Sequence, residues 1–453
     1  MKKIISSVFI VFFFLSTFAI PTFANEQPAK TNILALGDSL ATGVGPNNDL
    51  GKGYADYLAL KYEAYGLLGD FNKGFSYPGY RTTNILADLE ANVEKPGIDY
   101  NFKCGELNAI SESNPSAINP DCANSSKLKD AIKDAHVITL SIGANDVLSK
   151  IKLGADNTFT YDVNEIFGAI SSTATNIKTI LTKVKELNPD AQVVFMGYYN
   201  PFPHIVERQG DFAVLVNHFD NTIKAVVQAE GGIFVDVKAG LLANYQTYVS
   251  NPENIHLSRA GYEYVANEMF KAIGIVKEPT DTANHWADEY VKKAIGLQIF
   301  TGYEDGSFQP DRQISRIEIA AVISRTFNLS KTGATLPFTD INEINYAPMV
   351  DYLDALYSVG LVKGDGTGKY RPNASITREH VALILLRYHE HVTGKEYKPT
   401  QEVSFTDIAT LSDESKRAIR YLHEAGVVFD AELFYPDRGL TRGEAAKIFG
   451  GLK

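Results

Sequence analysis

The sequence predicts an α/β domain built on a parallel sheet covered on both faces, followed by a region of three repeats. Two observations carry that prediction. From Asn32 to about Ile275, short apolar runs alternate with amphipathic stretches of helix length. Beyond residue 284 a three-residue motif returns at steps of 62 and 64 residues, with matching offsets around it. Length agrees, because 453 residues are too many for one core and two to four domains are expected.

The elements follow in order. Met1-Lys2-Lys3 precedes an unbroken apolar run from Ile4 to Leu15, and Thr22-Phe23-Ala24 offers a small-x-small cleavage site. Residues 1–24 therefore read as a signal peptide, leaving an exported chain without a membrane span. Buried-strand runs are expected at 33–36, 137–142, 192–196 and 232–235, each predominantly apolar without alternation. Helices are expected at 54–65, 83–93, 163–187 and 212–229. The stretch from Lys95 to Ser126 is rich in Asn, Pro and Ser and reads as a surface insertion. It holds the only two cysteines, Cys104 and Cys122, which in an exported chain either close a disulfide or stay as thiols. Residues 276–283, with Pro279, Thr280 and Asp281, read as a linker.

The repeats are marked by Phe308-Gln309-Pro310, Tyr370-Arg371-Pro372 and Phe434-Tyr435-Pro436. Five and six residues after each proline stand a hydroxyl residue and an arginine: Ser315-Arg316, Thr377-Arg378 and Thr441-Arg442. An apolar stripe at helical spacing follows in each copy. Phe338-Thr339-Asp340 and Phe405-Thr406-Asp407 open the second and third units, giving expected repeats at 284–332, 335–397 and 403–453.

Composition narrows the chemistry. Without residues 1–24 the chain carries 41 basic against 54 acidic residues, a net charge of −13, which offers no electrostatic footprint for nucleic acid. Two cysteines with no adjacent histidines do not make a zinc site, and no metal or cofactor is expected.

One constellation suits nucleophilic catalysis, which needs a nucleophile, a base and oxyanion donors. Ser39, in Gly37-Asp38-Ser39-Leu40, follows the first strand and so falls at the carboxyl edge of the sheet, where such folds place their sites. The second glycine of a Gly-x-Ser-x-Gly elbow is missing, which argues against an ordinary α/β-hydrolase. Asn145, in Gly143-Ala144-Asn145-Asp146, brings a neutral side-chain donor to the next strand end. Gly79, in Tyr77-Pro78-Gly79-Tyr80, offers a backbone N–H. Of the histidines at 136, 204, 218 and 256, the last sits in a loop before a helix, three residues after Glu253. That spacing suits a carboxylate on one ring nitrogen and Ser39 on the other.

These segments resemble the conserved blocks of the SGNH/GDSL esterase-lipase family over residues 30–275. The resemblance implies a three-layer α/β/α, flavodoxin-like fold and hydrolysis of carboxylic esters through an acyl-enzyme, with no metal. The substrates it implies are carboxylic esters such as lipids, short acyl esters or O-acetylated glycans. It assigns Ser39 as nucleophile, Gly79 and Asn145 as oxyanion donors, and His256 as base, with Glu253 where the family holds an aspartate. Either Glu253 acts as the triad acid, with Asp236 a weaker substitute, or the site runs as a Ser–His dyad.

The C-terminal units resemble S-layer homology domains, which implies a mostly helical pseudo-trimer that holds an exported protein to cell-wall polysaccharide. Polysaccharides bearing ketal-linked pyruvate are among that family's ligands. Ser315-Arg316-Ile317-Glu318 and Thr441-Arg442-Gly443-Glu444 have the pattern of a capping box, which Thr377-Arg378-Glu379-His380 breaks. Arg316, Arg378 and Arg442 then sit on first turns, beside free N–H groups suited to an anion. Together these readings describe a secreted, wall-attached ester hydrolase; the alternative is an S-layer-associated surface protein whose hydrolase-like domain is inactive.

Overall fold

The computed structural model describes residues 30–96, 125–153, 159–205, 209–344, 346–429 and 431–452. The expected signal peptide and both cysteines lie outside the described residues. The chain divides into two units, residues 28–278 with 295–297, and the rest from Pro279 onward.

In the first unit five strands pair in parallel: β1 (Thr31–Gly37), β2 (Leu68–Ser76), β3 (Val137–Ser141), β4 (Gln192–Met196) and β5 (Ile233–Val235). Their spatial order is β2-β1-β3-β4-β5, the flavodoxin-like doubly wound arrangement. Alternation along β1 feeds both faces. Ile33 and Ala35 pack with helices α1 (Tyr54–Ala64) and α2 (Arg259–Ile273). Leu34 and Leu36 pack on the other side with Thr82–Ala91, Leu128–Asp134, Val163–Leu187 and Gln209–Ala229. Burial on both faces is why these strands read as continuous apolar runs.

Sequence reading did not mark β2, whose Leu-Gly-Asp-Phe-Asn-Lys-Gly-Phe-Ser has no such run. It is an edge strand, and its Lys73 turns inward. There the Lys73 ammonium meets Asp56 at 2.7 Å with both side chains fully buried, and donates to the Thr42 carbonyl at 3.2 Å. Asp56 also accepts from Gly53 N–H. A buried pair of this kind is costly to break one-sidedly, and it fixes the loop that follows the first site segment.

The second unit is mostly helical and closes on itself. Ile314 N–H donates to the Leu440 carbonyl, Leu440 N–H to Ile376 and Ile376 N–H to Ile314, at 2.9, 2.9 and 3.1 Å. Three repeats thus meet in one backbone triangle. Asp340 accepts from the N–H groups of Tyr370 and Arg371, and Asp407 from those of Phe434 and Tyr435. Asp281, assigned to the linker by sequence, makes the same two bonds to Phe308 and Gln309. The first repeat therefore begins inside the stretch read as a linker. No helix among the described residues is long and apolar enough to cross a membrane.

Candidate active site

Ser39 is placed by a close crossing of β1 and β3. A Cβ on Gly37 would lie 2.5 Å from the Ser141 carbonyl, so only glycine lets the chain leave β1 there. Asp38 then accepts from Leu40 N–H at 3.0 Å and starts a single helical turn, Ser39–Thr42, with Ser39 at its first position. The turn ends at Gly43, whose φ of +88° is left-handed.

His256 Nε2 lies 2.8 Å from Ser39 Oγ, across 217 residues of sequence. The other ring nitrogen departs from expectation. Nδ1 lies 2.6 Å from Asn254 Oδ1, not against Glu253. Glu253 is exposed, and its backbone N–H caps onto Asn251 Oδ1 at 2.9 Å. The reason is local: an Asx turn folds Asn254 back onto the His256 N–H at 3.0 Å, directing residue 253 outward. This bond also fixes the chemistry. The His256 backbone N–H only donates, so the atom facing it is the amide oxygen; Nδ1 must then carry the ring proton, leaving Nε2 to accept from Ser39. Asn254 Nδ2 donates to Asn48 Oδ1 at 2.9 Å, holding the amide in that orientation.

The two halves of the site are laced together. Asn251 Nδ2 donates to the Pro46 carbonyl at 2.7 Å, and Arg259 donates to the carbonyls of Gly43 and Lys52 at 2.7 and 2.9 Å. The remaining histidines are engaged elsewhere. His204 Nε2 faces the Val249 carbonyl at 2.7 Å, His136 Nδ1 accepts from Asn32 N–H, and His218 rests on Phe167. Asp236 pairs with Lys238.

Gly79 lies in the turn after β2, where Tyr80 N–H closes onto the Tyr77 carbonyl and Gly79 has a φ of +83°. With proline before it, this is a type II turn, which demands glycine. Asn145 follows β3 and donates one amide hydrogen to the Tyr80 carbonyl at 2.9 Å. Its second hydrogen has no partner among the described residues. Asp146 accepts from both the N–H and the hydroxyl of Thr82, at 3.0 and 2.6 Å, tying the two loops together. Ser39 and Asn145 line one cavity.

The three repeat arginines share one arrangement. Each guanidinium Nε donates to a carbonyl of the neighbouring repeat, Arg316 to Tyr370, Arg378 to Phe434 and Arg442 to Phe308, all at 2.8 Å. Each also lies over that aromatic ring, 4.6–4.8 Å from its centroid. The expected free N–H groups are not free. Those of Arg316 and Ile317 donate to the carbonyls of Ala374 and Pro372, and the other two repeats do likewise. Arg442 is buried, and its terminal nitrogens reach the Thr301 carbonyl and Glu318. Among the described residues, those of Arg316 and Arg378 make no hydrogen bond or ion pair.

A family model for the GDSL-like lipase/acylhydrolase family matches residues 35–264, about half of the chain. The chain belongs to that family. A second model, for the S-layer homology domain, matches three times, at 280–320, 337–382 and 404–446. Among curated proteins, the chain is 28 % identical over 187 residues to exoglucanase XynX of Acetivibrio thermocellus, covering 40 % of this chain and 17 % of that protein. It is 27 % identical over 172 residues to the S-layer protein sap of Bacillus anthracis, covering 38 % and 20 %. The cellulosome-anchoring protein of Acetivibrio thermocellus is 37 % identical over 106 residues, 22 % of this chain and 23 % of that protein. The chain thus spans less than a quarter of the length of these relatives. Among solved structures, the lipase Lip_vut3 from a goat rumen metagenome aligns at TM-score 0.38 and 21 % identity, covering 54 % of this chain and 97 % of that one. Axe2, an acetylxylan esterase from Geobacillus stearothermophilus, aligns at TM-score 0.36 and 16 % identity, covering 55 % and 97 %.

Electrostatics at this GDSL-family site favour a neutral His256 imidazole. Burial lowers the His256 pKa below its ordinary value. Burial also raises Asp38 to about 7, opposed by its bonds from Leu40 N–H and Ser141. Among the described residues no cluster of His, Cys, Asp and Glu has the makings of a metal site.

Proposed function

We propose that the chain is a serine ester hydrolase held at the cell surface by its S-layer homology domains. The observation that carries the reading is the 2.8 Å contact of Ser39 Oγ with His256 Nε2, its tautomer set by Asn254. In the proposed cycle Ser39 Oγ attacks the acyl carbon as its proton passes to Nε2. The resulting oxyanion takes donors from Asn145 Nδ2, Gly79 N–H and Ser39 N–H. His256 then protonates the departing alcohol oxygen, leaving an acyl-enzyme. A water gives its proton to Nε2 and attacks the acyl carbon, and the proton returns to Ser39 as the acid leaves. Asn254 keeps the imidazole in position throughout, so Glu253 has no part in the cycle.

The S-layer homology domains would take acidic wall polysaccharide, including pyruvylated forms, through Arg316 and Arg378. Support comes from their unengaged terminal nitrogens above an aromatic floor.

The test of catalysis is Ser39→Ala in the full chain, with Asn145→Ala beside it. We expect Ser39→Ala to lose at least a thousandfold in kcat on a short nitrophenyl ester, and Asn145→Ala about a hundredfold. Equal turnover by wild type and Ser39→Ala would refute the reading.

A further inference from the structure

The cavity beside Ser39 is walled almost wholly by hydrocarbon, which bears on the acyl group. Val147 and Leu148 come from the segment after β3, Ile170 from Val163–Leu187, and Leu215 and Val216 from Gln209–Ala229. Four of these five side chains stay partly exposed; only Ile170 is buried. The hydroxyls on the wall are already paired inside the protein. Tyr198 donates to the Ile142 carbonyl at 2.7 Å, Tyr199 to Ile255 at 2.5 Å, and Ser141 to Asp38 at 3.4 Å. A sugar ring placed here would lose water from its hydroxyls and find few partners, a heavy penalty in a desolvated site. A hydrocarbon chain has no such requirement. Three further apolar side chains of these two helices, Val163, Phe167 and Val214, are 39–64 % exposed.

We propose that this cavity is an acyl-chain site, making the preferred substrate an ester of an unbranched aliphatic acid of about four to eight carbons. The inference rests on the ester-hydrolase reading above and names the substrate class of that same site. Size sets the range. The cavity measures about 100 Å³, against about 150 Å³ for an apolar protein cavity that takes benzene, a six-carbon molecule. Ser39 stands on the wall of the same cavity, so the carbons nearest the ester lie beside its hydroxyl. Acyl chains beyond about eight carbons then run into solvent and gain nothing further. Leu215 and Val216 stand on its wall, and an acetyl group leaves most of the cavity unfilled.

The experiment uses the full-length protein with nitrophenyl esters from acetyl to decanoyl, an acetylated xylo-oligosaccharide, and a fluorophosphonate probe that labels an activated serine. Burial of one methylene predicts about a fourfold rise in kcat/KM per carbon, on the order of a hundredfold from acetyl to hexanoyl, with a plateau setting in by about eight carbons. Leu215→Trp and, separately, Val216→Trp should each cut the octanoyl-to-acetyl ratio of kcat/KM at least tenfold, with circular dichroism confirming the fold. A flat or acetyl-favouring profile, or preference for the acetylated oligosaccharide, overturns the acyl-site proposal while labelled Ser39 keeps the hydrolase reading. An unchanged ratio in both folded Trp variants overturns it as well. No turnover and no labelling of Ser39 would sink the hydrolase reading and the proposal with it.

Discussion

The residue on the far side of His256 from Ser39 gives the sharpest test of the site. Asn254 holds Nδ1 by a neutral amide oxygen at 2.6 Å, while Glu253 points to solvent. Replacing Asn254 with Asp puts a carboxylate where the amide oxygen is. An opposite charge at hydrogen-bond distance favours the imidazolium and raises a histidine pKa by about 1–3 units. One unit is about 1.4 kcal/mol, so the imidazolium gains roughly 1.4–4 kcal/mol relative to the native enzyme. In the native chain burial alone holds the His256 pKa below its ordinary value, so the base stays neutral into mild acid. The assay is the pH profile of kcat/KM on a short nitrophenyl ester, whose acid limb reports the free-enzyme base. For Asn254→Asp that limb should move up by about 1–3 units. Asn254→Ala removes one acceptor, worth about 0.5–1.5 kcal/mol, and should cost roughly two- to tenfold in kcat/KM. Glu253→Ala should stay within about twofold of the native rate. An unmoved limb in Asn254→Asp, or a larger loss from Glu253→Ala than from Asn254→Ala, would refute this account.

Two more outcomes follow from the same geometry. Asp38 is buried with a pKa of about 7 against an ordinary 3.8; its native form binds the proton more tightly than the unfolded chain does, so it costs stability as pH rises through that window and costs nothing below about 4. Asp38→Asn, which still accepts from Leu40 N–H, should therefore stabilise the fold at pH 8, by at most about 4 kcal/mol, with the gain vanishing near pH 4 in denaturant titrations; a gain independent of pH would contradict this. In sedimentation with purified cell walls, Arg316→Ala and Arg378→Ala together should abolish most binding; Arg442→Ala should lower Tm more than either single change, because the buried guanidinium bonds to both the Phe308 and Thr301 carbonyls; wall binding that survives the double change would count against these clefts.

The sheet and the position of Ser39 were legible because both depend on local pattern. Strands buried on two faces must be apolar throughout, and a serine after such a strand lands at the sheet edge. The edge strand β2 was illegible for the opposite reason. Its Lys73 is buried only because Asp56, 17 residues earlier, supplies the counter-charge, and no window of sequence shows that pairing. The partner of His256 Nδ1 was not read from sequence, which offered Glu253, Asp236 or none; backbone geometry placed Asn254 there. A spacing of three before the histidine looked suitable for a carboxylate. The Asx turn instead selects the residue two before it, a signal that Asn254 carried in plain view.

The repeats make the same point at larger scale. Matching offsets revealed three copies, but the sequence of one copy does not show that its first-turn N–H groups are consumed by the next. In the closed ring every motif helix donates its first two amides to carbonyls of its neighbour, which leaves the arginine side chain as the variable part of each cleft. The three clefts then diverge through the residue at the third helical position. Glu318 and Glu444 complete capping boxes and pair with Arg312 and Arg438. His380 stands at the corresponding place in the second repeat and bonds to Thr377 instead, at 2.7 Å. Burial and the nearby Arg316 charge hold His380 below its ordinary pKa, so it adds little competing charge at neutral pH. Near-threefold backbone symmetry therefore carries three different electrostatic environments. Arg442 is closed by Glu318, Arg378 faces a paired Arg438 and Glu444, and Arg316 stands beside a neutral histidine with no acid on the third position. An anion entering the Arg316 cleft meets a cation that no carboxylate has already neutralised.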